Sequence, residues 1–230
     1  MKKSAAAVVL PAVLLSACAS SQPRPRLPAT LDANPSALLA LEIAMAQRAT
    51  EKGGHDGFRE YAAPDAVLFV PERVAAAAWL KDTKNPLGLT WPAKRDVYRV
   101  IMSCDGKSGV THGAWKAPGG QHGYFTTVWQ RYEKRDGTGK WLWTLTHDNR
   151  LEKPLKAPEF VQTETSSCKG KAPASIAAPP EGVEMKQGLS RDQSLSWTWQ
   201  YRGDRSRSLE VKIWEGAKNI AVLKDEVAAK

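Results

Sequence analysis

The sequence predicts an α+β fold in which three N-terminal helices cover one face of an antiparallel sheet, followed by a small β extension. Three observations carry this prediction. Apolar residues recur at helical spacing in the first part of the chain and with a period of two from residue 91. Turn residues interrupt the second part at hairpin intervals. A separate alternating segment begins near residue 193, beyond a proline-rich stretch.

The N-terminus has the three-part order of a secretory signal. Lys2-Lys3 precede the apolar run Ala5–Leu15, which is too short to span a bilayer permanently. The stretch Leu15-Ser16-Ala17-Cys18 resembles the lipobox of bacterial lipoproteins, which implies cleavage before Cys18 and acylation of that residue. We therefore expect a signal peptide at 1–17 and a protein attached to a membrane through acylated Cys18. Periplasm-facing placement at the outer membrane is preferred, with the inner membrane or secretion as alternatives.

The predicted order of the N-terminal elements is a tether, two helices, a strand and a third helix. Residues 18–33 are rich in proline and poor in large apolar groups, which predicts a flexible tether. Asn34 can cap a helix that has Pro35 at its first position and ends at Gly53-Gly54. A second helix is expected over residues 56–62, a strand over 66–70 and a third helix over 73–81.

Four strands are expected after the change of period. Their predicted ranges are Asp96–Met102, Gly109–Trp115, Gly123–Tyr132 and Lys140–Asn149. Short turn sequences separate them, namely Asp105-Gly106, Pro118-Gly119-Gly120 and Asp136-Gly137-Thr138-Gly139. Strands joined by such short connections form an antiparallel meander, and the preceding helices are expected to cover one of its faces.

These elements also resemble a known family. Phe58-Arg59-Glu60-Tyr61 followed by Asp65–Pro71 is similar to the pattern of the nuclear transport factor 2-like superfamily, specifically its SnoaL-like bacterial branch. Later pieces follow in that branch's order: Trp91-Pro92, Gly113-Ala114-Trp115, Tyr124–Arg131 and Gly139-Lys140-Trp141. The resemblance covers about residues 35–152. It implies a cone-shaped domain at 34–153, with a curved sheet around a long helix and a pocket at the wide end.

Aromatic residues on these elements supply the candidate pocket. On the last cone strand Trp141, Trp143, Leu145 and His147 alternate with their neighbours and are expected to share the concave face. The candidate lining residues are Trp79, Tyr98, Trp115, Tyr124, Trp129, Trp143 and His147. The nine tryptophans of the chain favour a small apolar or sugar-like ligand, while ordinary core packing stays the alternative for each aromatic.

Catalysis is the second interpretation of the same pocket. The superfamily includes isomerases, dehydratases and many members without catalysis, so the resemblance implies a pocket rather than a reaction. An enzyme would use His147 or Asp148 as the general base and a tyrosine such as Tyr98 or Tyr124 as the donor to a developing oxyanion. Because no motif places the isomerases' carboxylate, we prefer binding without catalysis.

Composition and motifs limit the other classes of function. The formal net charge is +9, but basic residues alternate with acidic ones, which indicates a solvated surface with some affinity for anionic lipid rather than a nucleic-acid site. No metal is expected, because the four histidines lack short ligand spacing. No cofactor is expected either, since the sequence has no phosphate-cradling loop.

The remaining cysteines and the C-terminal region complete the prediction. In an oxidising compartment Cys104 and Cys168 are expected to form a disulfide closing a loop of roughly 65 residues, with two separate thiols as the alternative. Residues 154–192 are expected to form a linker. Residues 193–230 predict a three-stranded antiparallel meander whose apolar face packs on the cone or on another chain, so a homodimer stays open. A stabilising cap is preferred over a partner-recruiting surface.

Overall fold

The computed structural model describes residues 33–70, 72–81, 94–135, 138–173 and 178–229. The predicted signal peptide and all but the last residue of the predicted tether, with Cys18, lie outside these described residues, as does Trp91-Pro92. Among the helices of the described ranges, none combines the length and apolar character needed to cross a bilayer.

Two helices come first, and a third, short helix follows the first two strands. The helices are α1 (Pro35–Lys52), α2 (Gly54–Glu60) and α3 (Ala76–Trp79). The strands are β1 (Ala62–Phe69), β2 (Arg73–Ala75), β3 (Lys94–Met102), β4 (Ser108–Lys116), β5 (His122–Glu133), β6 (Gly139–Arg150), β7 (Gln162–Thr165), β8 (Val183–Leu189), β9 (Leu195–Arg202), β10 (Arg207–Trp214) and β11 (Asn219–Val227).

Helix α1 begins and ends where its sequence signals predict. The side chain of Asn34 accepts a hydrogen bond from the Ser36 N–H at 3.1 Å, and Pro35 occupies the first turn. Gly53 ends the helix with a φ of +95°. Residues that have a Cβ rarely adopt a positive φ, so glycine suits this position. The helix buries Leu38 and Met45 on its sheet-facing side.

The predicted third helix, at 73–81, is mostly wrong. Residues Arg73–Ala75 form strand β2, which pairs with the end of β1 through the partners Phe69↔Arg73 and Leu68↔Val74. Only Ala76–Trp79 are helical, as the short helix α3. The reason is tertiary, because the backbone ladder to β1 outweighs the helical propensity of the first residues of this segment.

Seven strands form a large curved sheet, which we call the first sheet. Their order is β2-β1-β6-β5-β4-β3-β7. The four predicted meander strands are its centre, β3 to β6, and they pair antiparallel. The sheet is nevertheless mixed, since β1 runs parallel to β6 and β7 runs parallel to β3. The expectation of a wholly antiparallel sheet is therefore corrected.

Strands β8 to β11 form a second, antiparallel sheet in the order β11-β10-β9-β8. It has four strands where the sequence predicted three, because β8 lies inside the predicted linker. Strand β7 lies there too and joins the edge of the first sheet. Both were missed for a physical reason: edge strands are held by backbone hydrogen bonds and need no clear apolar alternation.

The two sheets and the helices form three packed layers. One face of the first sheet packs against the helices, around Leu38, Phe58, Trp129 and Trp143, and we call it the helix face. The opposite face packs against the second sheet, and we call it the inter-sheet face. The alternating residues Leu195, Trp197 and Trp199 of β9 meet Val67, Phe69, Ile101, Val110, Val128 and Leu145 there. The apolar face of the second sheet is thus buried within the same chain.

Contacts at the β3–β4 turn also join the two sheets. The structure brings the sulfur atoms of Cys104 and Cys168 to bonding distance, with 5.2 Å between the Cα atoms. Beside them, the Cys104 N–H donates to Ser194 Oγ at 2.8 Å and the Asp105 N–H donates to Asp192 Oδ2 at 2.9 Å. This turn therefore fixes one end of the second sheet against the first.

Candidate functional site

A β-bulge on β6 decides which predicted residues can share a site. Trp143 pairs with Trp129, but Leu145 pairs with Val128, so Thr144 is an extra residue on β6. Trp143 therefore lies on the helix face, whereas Leu145 lies on the inter-sheet face. Because side chains alternate beyond the bulge, His147 also lies on the inter-sheet face. The expectation that Trp141, Trp143, Leu145 and His147 share one face is wrong.

His147 lies in a closed environment between the two sheets. Its side chain is 0% exposed, and its ring packs edge-on against Phe69 with the centroids 5.4 Å apart. Nδ1 lies 3.4 Å from the Tyr124 hydroxyl and 3.8 Å from Asp225 Oδ2. Nε2 has no hydrogen-bond partner among the described residues. The two sheets therefore enclose the imidazole of His147.

A second histidine belongs to the same inter-sheet cluster. His112 Nδ1 lies 2.8 Å from Thr126 Oγ1, and that hydroxyl donates to Asp225 Oδ2 at 2.5 Å. Burial lowers the pKa of His112, although the Asp225 carboxylate opposes that shift. Burial also raises the pKa of the Tyr124 hydroxyl well above its usual range. Both groups are therefore neutral at physiological pH.

The helix face holds a buried charged pair that no sequence motif indicates. Arg95 Nε donates to Glu42 Oε2 at 3.2 Å, and both side chains are 2% exposed. Arg95 Nη2 donates to Thr127 Oγ1 at 2.8 Å. The guanidinium carbon lies 3.6 Å from the ring centroid of Phe125, which is a cation–π contact. Arg95 Nη1 has no hydrogen-bond partner in the described part of the chain.

Glu42 is satisfied on its other oxygen. Its Oε1 accepts from the Thr111 hydroxyl at 2.6 Å and from Trp129 Nε1 at 3.2 Å. The predicted pocket residue Trp129 is fully buried, and its indole N–H needs a hydrogen-bond partner there, which Glu42 provides. Trp129 is therefore a core residue that orients Glu42 rather than a pocket wall.

Trp115 lies beside Arg95. The two residues are direct partners on β4 and β3 and therefore share the helix face. The indole covers Gly123 of β5, where an added Cβ would lie 2.5 Å from two ring carbons of Trp115. Trp115 is half-buried, and its Nε1 has no hydrogen-bond partner within the described ranges. Arg95 Nη1 and Trp115 Nε1 are thus two donors without a partner among the described residues, and they belong to neighbouring residues on the helix face.

Asp148 completes this group, which we call the Arg95 cluster: Glu42, Arg95, Trp115, Phe125 and Asp148. Asp148 pairs with Phe125 and therefore lies on the helix face, opposite to His147. Burial raises the pKa of its carboxyl, while the charges of Arg95 and then Arg207 act against that shift. His147 and Asp148 cannot act together on one substrate, because they face opposite sides of the sheet.

The other predicted pocket residues lie apart from this cluster. Trp143 is buried on the helix face, and its Nε1 donates to the Phe58 carbonyl at 3.0 Å. Trp79 stacks at a tilt on His55, with the centroids 4.6 Å apart. Tyr98 is the extra residue of a bulge on β3. Tyr124 lies in the inter-sheet cluster. Of the predicted aromatics, Trp115 is the one that pairs directly with Arg95.

An open cavity lies at the same end of the first sheet. It has a volume of about 460 Å³ and is lined by Gly119–His122 and Arg150–Glu152. Gly123 pairs with both Trp115 and the lining residue Arg150, and the lining of the cavity does not include a residue of the Arg95 cluster. In the described ranges no three histidine, cysteine, aspartate or glutamate side chains converge as a metal site.

Comparison with known proteins finds distant similarity to a solved structure. No family model matches the chain. No curated protein is recognised as a relative. Among solved structures, the chain is similar to one from Parabacteroides distasonis ATCC 8503 described as a "putative ketosteroid isomerase", with a TM-score of 0.38 and 16% identity, covering 51% of this chain and 88% of that chain.

Sequence reasoning missed three residues that define the two clusters, namely Glu42, Arg95 and Asp225. One signal was available for Glu42, since it lies between apolar positions of an amphipathic helix on its buried side. A carboxylate on a buried helix face requires a partner from elsewhere in the fold. Arg95 and Asp225 lie in charged stretches of sequence that look like solvated surface.

Proposed function

We propose that this chain is a lipid-anchored envelope protein that binds a small, largely apolar or sugar-like molecule at the Arg95 cluster. One observation carries the proposal. The side chain of Arg95 is 2% exposed, yet one of its nitrogens, Nη1, has no hydrogen-bond partner in the described part of the chain. A buried donor left unpaired costs about 1–3 kcal/mol, and an acceptor on a bound molecule would recover that energy. Trp115 offers a second such donor beside it.

The charges of the cluster favour a neutral oxygen acceptor over an anion. Glu42 already balances the positive charge of Arg95. Asp148 adds a further carboxyl on the same face. A ketone or hydroxyl oxygen can accept from Arg95 without adding a negative charge to this buried group. The rings of Trp115 and Phe125 would pack against the apolar part of the molecule.

Ligand binding can be tested on the full-length protein purified from its own membrane. Native mass spectrometry should detect a reproducible bound compound. In parallel, cyclic ketones and methyl glycosides should change the tryptophan fluorescence of the purified protein in a saturable way. Trp115→Phe removes one donor and should weaken binding about tenfold. Trp214→Phe is the control, because Trp214 is the last residue of β10 in the second sheet and its Nε1 donates to the Lys169 carbonyl. No bound compound and no saturable response would refute the proposal.

Acid–base isomerisation at the same cluster is the second candidate function. Asp148 favours it, because burial raises the pKa of its carboxyl, which helps that group to hold and transfer a proton. In this reaction Asp148 would move the proton and Arg95 would stabilise the developing oxyanion. Turnover of a carbonyl panel that is lost in Asp148→Asn would support catalysis. Turnover that persists unchanged in that variant would exclude this role for Asp148.

We also propose that α1, α2 and the first sheet form the cone of the nuclear transport factor 2-like superfamily. Support comes from the sequence resemblance over residues 35–152 and from helices followed by a meander whose helix face packs on α1. An envelope scaffold that docks through its second sheet is less favoured. The apolar face of that sheet is buried against the first sheet and is not available to a partner.

The anchoring part of the proposal depends on Cys18. The expectation is attachment to the outer membrane, facing the periplasm, with the inner membrane or secretion as alternatives. Cys18→Ser should move the protein from the membrane fraction to the soluble fraction and abolish labelling by a fatty-acid probe. A wild-type protein that takes up no fatty-acid label would contradict lipidation.

A further inference from the structure

Arg207 connects the second sheet to the strand that carries Asp148. It lies at the start of β10, is 6% exposed and points towards the first sheet. Its Nη2 donates to the main-chain carbonyl of Asp148 at 2.7 Å. Its guanidinium carbon lies 5.6 Å from the ring centroid of Phe69. A residue of the C-terminal sheet therefore binds the backbone of the candidate site.

This contact lies just beyond the end of the pairing between β1 and β6. The pairing of β1 with β6 ends at Leu68↔Thr146, two residues before Asp148. A charge-assisted hydrogen bond from a buried guanidinium is stronger than a neutral one and restricts the acceptor's position. Arg207 thus restrains β6 at the residue whose carboxyl lies on the helix face.

We propose that Arg207 is a positioning residue of the Arg95 cluster, which fixes the main chain at Asp148 and provides positive charge to the Asp148 carboxyl from the opposite side of the sheet. The inference rests on the proposed function of that cluster. It gives the second sheet a role in the site in addition to stabilising the fold.

The charges around Asp148 support this role. Burial is the largest influence and raises the pKa of the Asp148 carboxyl; Arg95 on β3 and Arg207 on β10 act in the opposite direction, followed by His147 on β6. Glu42 on α1 lies behind Arg95, and Tyr124 on β5 and Asp225 on β11 lie near His147. Removal of Arg207 should therefore raise the pKa of Asp148 further, with Arg95 still in place.

The titration of Asp148 can be followed directly by ¹³C NMR of the carboxyl, with Asp148→Asn used for assignment. In Arg207→Gln the midpoint should move to higher pH than in the wild type. In Arg202→Gln it should not move, because Arg202 is exposed and bonds Gln200 instead. A folded Arg207→Gln protein in which Asp148 titrates as in the wild type would overturn the inference.

Arg207→Lys tests the same inference if the glutamine variant does not fold. It keeps the positive charge but loses the planar guanidinium whose Nη2 binds the Asp148 carbonyl. The Asp148 midpoint should stay close to that of the wild type, whereas the backbone carbonyl shift of Asp148 should change. An unchanged carbonyl shift would show that Arg207 does not fix the main chain, and would overturn the inference.

Ligand binding separates this inference from the proposed function. If the wild type binds a ketone or glycoside, Arg207→Gln should weaken binding about tenfold and alter its pH dependence. Unchanged affinity and pH dependence in that variant would overturn the role of Arg207 and leave the proposed function standing. If the wild type binds nothing, the proposed function fails, and the NMR titration still decides whether Arg207 controls Asp148.

Discussion

Arg95 and Glu42 join the first sheet to the first helix through a buried charged pair. The distance from Arg95 Nε to Glu42 Oε2 is 3.2 Å, and each side chain is 2% exposed. Hydrogen bonds from Thr111 and Trp129 satisfy the second carboxylate oxygen. Buried pairs of this kind add little net stability, but loss of one partner leaves the other charge uncompensated.

Glu42→Gln should therefore lower the free energy of unfolding by about 3–5 kcal/mol. Urea denaturation followed by far-ultraviolet circular dichroism measures the change. Glu51→Gln is the matched control, because Glu51 lies on the same helix in an exposed pair with Arg48 and should change stability by no more than ~0.5 kcal/mol. Equal stability of the two variants would show that the buried pair is not an essential contact.

Asp148→Asn should stabilise the protein at neutral pH relative to the wild type. The pKa of Asp148 is raised in the folded state, chiefly by burial, so the folded state disfavours the carboxylate that forms as pH rises. The advantage of the variant should therefore appear above the unfolded pKa of about 4 and vanish below it. Urea midpoints at pH 3 and pH 7 measure this. A variant less stable than the wild type at pH 7 would contradict the expected sign.

Stability should also fall as pH decreases from 7 to 5, because of His112. Burial lowers its pKa in the folded state, so the unfolded chain takes up the proton first as pH falls through about 6.5. His112→Asn keeps an acceptor near Thr126 without titrating and should flatten this pH dependence. His122→Asn, at the start of β5, should leave this pH dependence as in the wild type. If the free energy of unfolding of His112→Asn still falls between pH 7 and pH 5 as in the wild type, the pH dependence comes from another group.

Gly123→Ala should destabilise the fold by about 1–3 kcal/mol through overpacking. The added Cβ would lie 2.1 Å from the Asn149 carbonyl oxygen and 2.5 Å from carbons of the Trp115 ring. Gly203→Ala is the control, since an added Cβ there meets nothing within 4 Å. Thermal denaturation of both variants measures the difference. If Gly123→Ala matched the control, the Trp115 indole would not lie across β5 as described.

The double variant Cys104→Ala/Cys168→Ala should lose about 2–4 kcal/mol of stability under oxidising conditions. The cross-link closes a segment with a sequence separation of 64 residues and restrains the unfolded chain. Denaturation of the wild type with and without a reductant gives an independent estimate of the same quantity. Peptide mapping that recovers free thiols at both positions would contradict the cross-link.

Local patterns determined the elements with strong short-range signals. Asn34-Pro35 and Gly53 set the limits of α1, and the alternating residues of β3 to β6 predicted strands within one or two residues of their observed ends. Helix capping, turn formation and the spacing of apolar residues depend on residues that are close in sequence, so they can be predicted from one sequence. The segments β2, β7 and β8 depend on partners far along the chain, and local patterns did not reveal them.

The sequence by itself determined the helical and strand periods, the candidate signal and the choice of Cys104 and Cys168 as partners. Tertiary structure decided which residues meet. One extra residue at Thr144 moved His147 to the inter-sheet face, where Asp225 from the last strand lies close to it. The pairing of Glu42 with Arg95 likewise required α1 to pack on β3. Side chains along a strand point to alternate faces of the sheet. A bulge adds one residue and so moves every later side chain of the strand to the opposite face, and no local sequence pattern marked this bulge.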